Sequence, residues 1–170
     1  MTASALLSEI WVYPLKSCAG ISVRQSILTE TGLEWDRTWM VVNAQGAMVS
    51  QRQVPAMALI ETRLRAGDVV LRAPGMLALH LALDQAEAPT RVKIWGQEMP
   101  AYDMGDLAAQ WLTDFLSQTP AGKALGPLRL ARFEPEHQRP SDPAWSQGQD
   151  RKSTRLNSSH MSESRMPSSA

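Results

Sequence analysis

The stretch RTWMVVNAQGAMVSQRQ, residues 37–53, reads as two short strands around a turn. Trp39, Val41 and Val42 are residue types that suit a pleated, buried surface. Ala44-Gln45-Gly46 follows, with Gly46 supplying the positive φ of a tight hairpin. Brief strands and glycine turns recur outward from here. Upstream lie SEIWVY and ISVRQSILT. Downstream, MALIETRL and VVLRA flank Arg65-Ala66-Gly67-Asp68, a second hairpin signal. LALHLAL alternates, RVKIW runs up to Gly96 with EMPAYDM beyond it to pair, and PLRLARF reads as a closing strand. Strands this short, at this spacing, predict a mainly β (α+β) chain: a small β-barrel-like domain of short antiparallel strands.

One segment breaks the pattern. GDLAAQWLTDFLSQ sets Leu107, Trp111 and Phe115 four apart with Leu112 and Leu116 beside them, which predicts one amphipathic helix. Asp106 suits its N-cap or first turn, and Pro120 and Gly122 should end it.

Composition narrows the function classes. The chain has 170 residues, 44% of them hydrophobic, and a formal net charge of zero. It is long enough for one domain with a core, and nothing in its charge favours a nucleic-acid partner. No apolar run nears the ~20 residues of a membrane span, and MTASALLSEI lacks a basic signal-peptide region. With a single cysteine, Cys18, no internal disulfide can form. The expectation is a cytoplasmic protein without membrane or nucleic-acid partners.

Composition shifts abruptly near Asp150. DRKSTRLNSSHMSESRMPSSA holds seven serines and almost no apolar residues. Back-translated, DRKSTRLNSSH and ESRMPSSA resemble, in one frame and in order, the two constant parts of a DNA sequencing-library adapter. Residues 150–170 are therefore expected to be an adapter-derived artefact, disordered and irrelevant to the fold. The gene is then truncated near Gln149. That tail holds four of the seventeen basic and two of the seventeen acidic residues, so the rest carries a formal charge of −2. A single domain is expected over residues 1–140, with 141–149 beginning a connector to a missing domain.

Chemistry-bearing motifs are few. The histidines, His80, His137 and His160, have no zinc-like spacing with Cys18, and no metal site is expected. No G-x-S-x-G, Walker or G-x-G-x-x-G pattern occurs, and no catalytic residue is assigned. Basic residues at strand ends are the better signal. Lys16 and Ser17 follow the first strand, Arg37 opens the 37–43 strand, and Arg52 lies at the far end of its hairpin, which would bring the two arginines together. Spacing leaves two readings open. The cations grip a phosphate or carboxylate, or Asp36 and Glu34 pair with the arginines at the surface.

The order of motifs adds a resemblance. YPLKSCAG, LEWDRTWMVV, MVSQRQVP, YDMGDLAAQWLTDFL and LRLARFEP, in that sequence, resemble the N-terminal β-barrel domain of the MOSC family, from about Glu9 to about Pro140. That family includes the mitochondrial amidoxime-reducing components with their bacterial relatives and, more distantly, the C-terminal region of molybdenum cofactor sulfurases. The resemblance implies a molybdopterin cofactor in the complete parent, its pterin-phosphate portion held at Lys16, Ser17 and Arg37, with Arg52 at a matching basic position. It also implies that the molybdenum ligand is a cysteine of a following MOSC domain, which leaves Cys18 structural. The implied function is the pterin-phosphate lobe of an oxidoreductase reducing N-hydroxylated compounds, partnered by the missing MOSC domain and an electron-donor protein or domain. This chain alone would then be inactive. The alternative it implies is a cofactor-binding or sulfur-carrier module, akin to the sulfurases, without reductase activity.

Overall fold

The computed structural model describes residues 5–29, 32–84 and 88–133. The connector and tail expected at 141–170, with His137 and His160, lie outside these described residues.

Among the described residues, eleven short strands and two α-helices follow in order: β1 (Ile10–Val12), β2 (Ile21–Val23), β3 (Leu28–Thr29), β4 (Gly32–Leu33), β5 (Trp39–Asn43), β6 (Glu61–Arg65), β7 (Asp68–Arg72), β8 (Leu79–Ala82), β9 (Ala88–Ile94), β10 (Gln97–Asp103), α1 (Asp106–Leu116), α2 (Pro120–Ala124) and β11 (Leu128–Phe133). All ladders are antiparallel: β1 with β2, β3 with β4, a three-stranded sheet in the order β6-β7-β8, and a four-stranded sheet in the order β5-β11-β10-β9. The mainly β reading therefore holds.

No sheet among the described residues closes by a continuous ladder. Isolated bridges join Met48 to Val42 on β5 and Ala47 to Lys93 on β9, so the 44–46 turn links the two outer strands of the four-stranded sheet. Gly46 sits at φ 72° and its carbonyl accepts the Lys93 N–H at 2.7 Å.

β5 explains the unbroken apolar run WMVV. Trp39 and Val41 face a large core formed with α1, Leu128, Leu130 and the three-stranded sheet. Met40 and Val42 face a smaller core with Val92, Ile94, Met99, Ala101 and Ala131. A strand buried on both faces has no reason to alternate.

The helix forms where its pattern places it, with Ala108, Trp111, Leu112, Phe115 and Leu116 buried. Leu107 does not share that face: it sits in the first turn and is exposed. Pro120 does not merely stop the helix but opens α2, whose N-cap Thr119 accepts the Gly122 N–H at 3.1 Å. Two strands differ from expectation. ISVRQSILT divides into β2 and β3, and RVKIW ends at Ile94, because Trp95 (φ 50°) and Gly96 (φ 81°) make a two-residue hairpin turn.

Candidate functional site

The segment after β1 lies against the segment that leads into β5. The Arg37 N–H donates to the Tyr13 carbonyl at 2.8 Å, the Trp39 N–H to Pro14 at 3.0 Å, and the Lys16 N–H to Trp39 at 2.9 Å. A parallel bridge joins Leu15 to Trp39. These bonds put the Lys16-Ser17 turn and Arg37 on adjoining backbone, although 20 residues separate Ser17 from Arg37.

Local backbone here is unusual. Ser17 (φ 67°), Trp35 (φ 64°) and Arg37 (φ 54°) all occupy the left-handed region, which non-glycine residues seldom adopt. The turn at Ser17 closes with the Cys18 N–H on the Leu15 carbonyl at 3.2 Å. Beyond it the Ala19 N–H donates to Ile60 at 3.0 Å, anchoring the loop on the core. Gly20 is needed for space: a Cβ there would lie 2.7 Å from Cε1 of Tyr13. Strained backbone held by its surroundings is a feature that clusters at functional sites.

Around Arg37 the contacts are specific. Its Nη1 donates to Asp36 Oδ2, while Asp36 Oδ1 accepts the Tyr13 N–H at 2.9 Å. The guanidinium carbon stands 4.9 Å from the centre of the Tyr13 ring, a cation–π distance. The Asp36–Arg37 pair weighed from spacing is present, but with Asp36 buried at 5% exposure rather than at the surface. Glu34 makes no ion pair with an arginine among the described residues.

The hairpin expected to carry Arg52 back toward Arg37 is interrupted. The Val49 N–H still bonds the Val41 carbonyl, but both Gln53 and Val54 then turn back to the Ser50 carbonyl. Their turn ends the ladder before it reaches the level of Arg37. Arg52 is exposed on that turn, and no side-chain partner is seen for it among the described residues. Cys18 belongs to the large core, and burial pushes its thiol pKa up.

Sequence reasoning missed Tyr13 and the burial of Asp36. Tyr13 carried only a strand signal, and Asp36 only that of a surface partner. Their roles depend on the left-handed turn at Arg37, which no residue type announces.

A family model described as the MOSC N-terminal β-barrel domain matches residues 4–119. The chain belongs to this family. Mitochondrial amidoxime reducing component 2 of Bos taurus is 37% identical over 141 residues, covering 75% of this chain and 38% of that protein. Mitochondrial amidoxime-reducing component 1 of Homo sapiens is 34% identical over 143 residues, covering 81% and 40%. Molybdenum cofactor sulfurase of Drosophila grimshawi is 33% identical over 144 residues, covering 80% and 18%. This MOSC N-terminal chain thus spans well under half the length of these relatives. A solution structure of a Bordetella bronchiseptica protein matches with TM-score 0.51 and 26% identity, covering 72% of this chain and 98% of that one.

Proposed function

We propose that the chain is the front lobe of a longer molybdenum-cofactor protein, in which Lys16, Ser17 and Arg37 hold the phosphate of the pterin. The observation that carries this reading is the backbone pairing of residues 13–16 with 37–39, which joins the two cation-bearing turns. The donor set fits a phosphate: an ammonium, a planar guanidinium and a hydroxyl suit a dianion with several acceptor oxygens. It does not supply a metal ligand. Cys18 is buried, with desolvation raising its thiol pKa, and no group of three or more His, Cys, Asp or Glu gathers among the described residues. The ligands would come from protein beyond this chain's share of its relatives' length. When bound, the cofactor would supply a centre that takes oxygen from an N-hydroxylated substrate in a two-electron reduction. This chain's residues bind and orient, and electrons come from a partner protein or domain.

The test uses the complete parent protein in which this chain is the N-terminal lobe, with molybdenum and pterin content measured after purification. Lys16→Glu and Arg37→Gln should each lower retained cofactor about tenfold, the loss of roughly one charge-assisted hydrogen bond. Full retention in both variants would end the reading. Retention in the parent without reduction of an aryl amidoxime would instead favour a cofactor-carrying or sulfur-carrier module.

A further inference from the structure

Arg37 is held by two neighbours, Asp36 and Tyr13. The Tyr13 N–H donates to Asp36 Oδ1, Asp36 Oδ2 accepts from Arg37 Nη1, the Arg37 N–H donates to the Tyr13 carbonyl, and the guanidinium lies over the Tyr13 ring. These four contacts form a closed loop through three residues. We propose that Asp36 and Tyr13 are positioning residues that hold the Arg37 guanidinium in one orientation, leaving a preformed fork for an anion. The proposal rests on the reading of Arg37 as a phosphate-binding group.

The chemistry favours orientation over charge. An Asp36–Arg37 pair is net neutral, so its gift to an anion is directional N–H groups rather than field strength. A guanidinium carries five N–H donors, and Asp36 engages only Nη1. The Arg37 side chain remains 22% exposed, so it is not sealed from a ligand. Asp36 has a side-chain exposure of 6%, and a carboxylate so removed from water needs both of its bonds. Tyr13 supports the flat face, and Gly20 leaves room for its ring. An arginine already ordered loses less side-chain freedom when the anion arrives.

The experiment is nitrogen-detected NMR of the arginine side chains in the full 170-residue chain, followed by titration with inorganic phosphate. In the unaltered chain, the Arg37 Nη groups should give separate, slowly rotating signals. Asp36→Asn and Tyr13→Leu should average those signals and weaken phosphate binding about fivefold. Tyr13→Phe, which keeps the ring, should change neither. Averaged Arg37 signals in the unaltered chain would overturn the proposal, whether or not the variants fold. So would phosphate binding that falls in Arg37→Gln but not in Asp36→Asn and Tyr13→Leu. Phosphate binding indifferent to Arg37→Gln, with the slow rotation still present, would instead overturn the anion-binding reading on which the proposal stands.

Discussion

Cys18 adjoins a strained, partly exposed turn, yet the residue itself is 5% exposed and packed in the large core. A thiol reagent at pH 8 should leave it unmodified in the folded chain and react with it after denaturation. Fast labelling without denaturant would show the loop open. Burial raises the folded thiol's pKa, so stability should also fall as pH rises past the unfolded thiol's pKa of about 8.5. Thr62 offers the opposite kind of test. Its hydroxyl is buried with no hydrogen-bond partner among the described residues. Thr62→Val keeps the shape and the strand preference, and should raise stability by about 1 kcal/mol in denaturant unfolding. Neither property is legible in the sequence, because burial of a single polar atom is decided by distant elements. What was legible at this scale is the loop itself: Pro14 and Gly20 bracket Lys16 and Ser17, and Gly20 does make room for its neighbour.

Elements were more readable than residues. Gly67 (φ 90°) and Gly46 (φ 72°) sit at the turns their sequence marks. The strand after Gly46 was not readable, because Ser50 becomes the acceptor of a turn and Pro55 opens a short 3-10 segment before Ile60. Gly46 also meets β9 closely: a Cβ there would lie 2.8 Å from the Arg91 carbonyl oxygen. Gly46→Ala should therefore cost about 2 kcal/mol or more, from the left-handed φ together with the clash. An unchanged melting temperature would mean that the turn adapts.

At the β10–α1 junction, Asp103 binds Arg129 Nε and Nη2 and accepts the Gly105 N–H at 2.7 Å. Burial works to raise the Asp103 pKa, but the bonds from Arg129 and Gly105 and the charge of Arg129 outweigh it and hold it below its usual value. A carboxyl depressed in the folded state stabilises above its unfolded pKa of about 3.9, and that contribution fades as pH falls through the folded value. Asp103→Asn should flatten the acid side of the stability profile. At neutral pH it should cost only about 1 kcal/mol, since Arg129 is 39% exposed and screened by water.

The molecule as a whole is organised around β5 and β11, which separate two cores and contribute to both. One strand pair serving two cores should make them unfold together, giving a single calorimetric transition. Leu130→Ala, on the large-core side, should lower that transition by about 3 kcal/mol without splitting it. A second transition would show that the smaller core stands alone. The candidate anion site lies at the entrance to the same strand, so its backbone is set by the most buried part of the fold. Motif order pointed to the family. It did not reveal the left-handed turns, which arise only where β1's exit is pinned against the start of β5.

The β5–β11 ladder pairs Trp39–Asn43 with residues near the far end of the described chain, Leu128–Arg132. During synthesis the first of these strands leaves the ribosome long before its partner exists. At the usual pace of translation the interval is on the order of ten seconds. Throughout it, Trp39, Met40, Val41 and Val42 lack the β11 ladder that completes their cover. That window is when a chaperone would have most to hold.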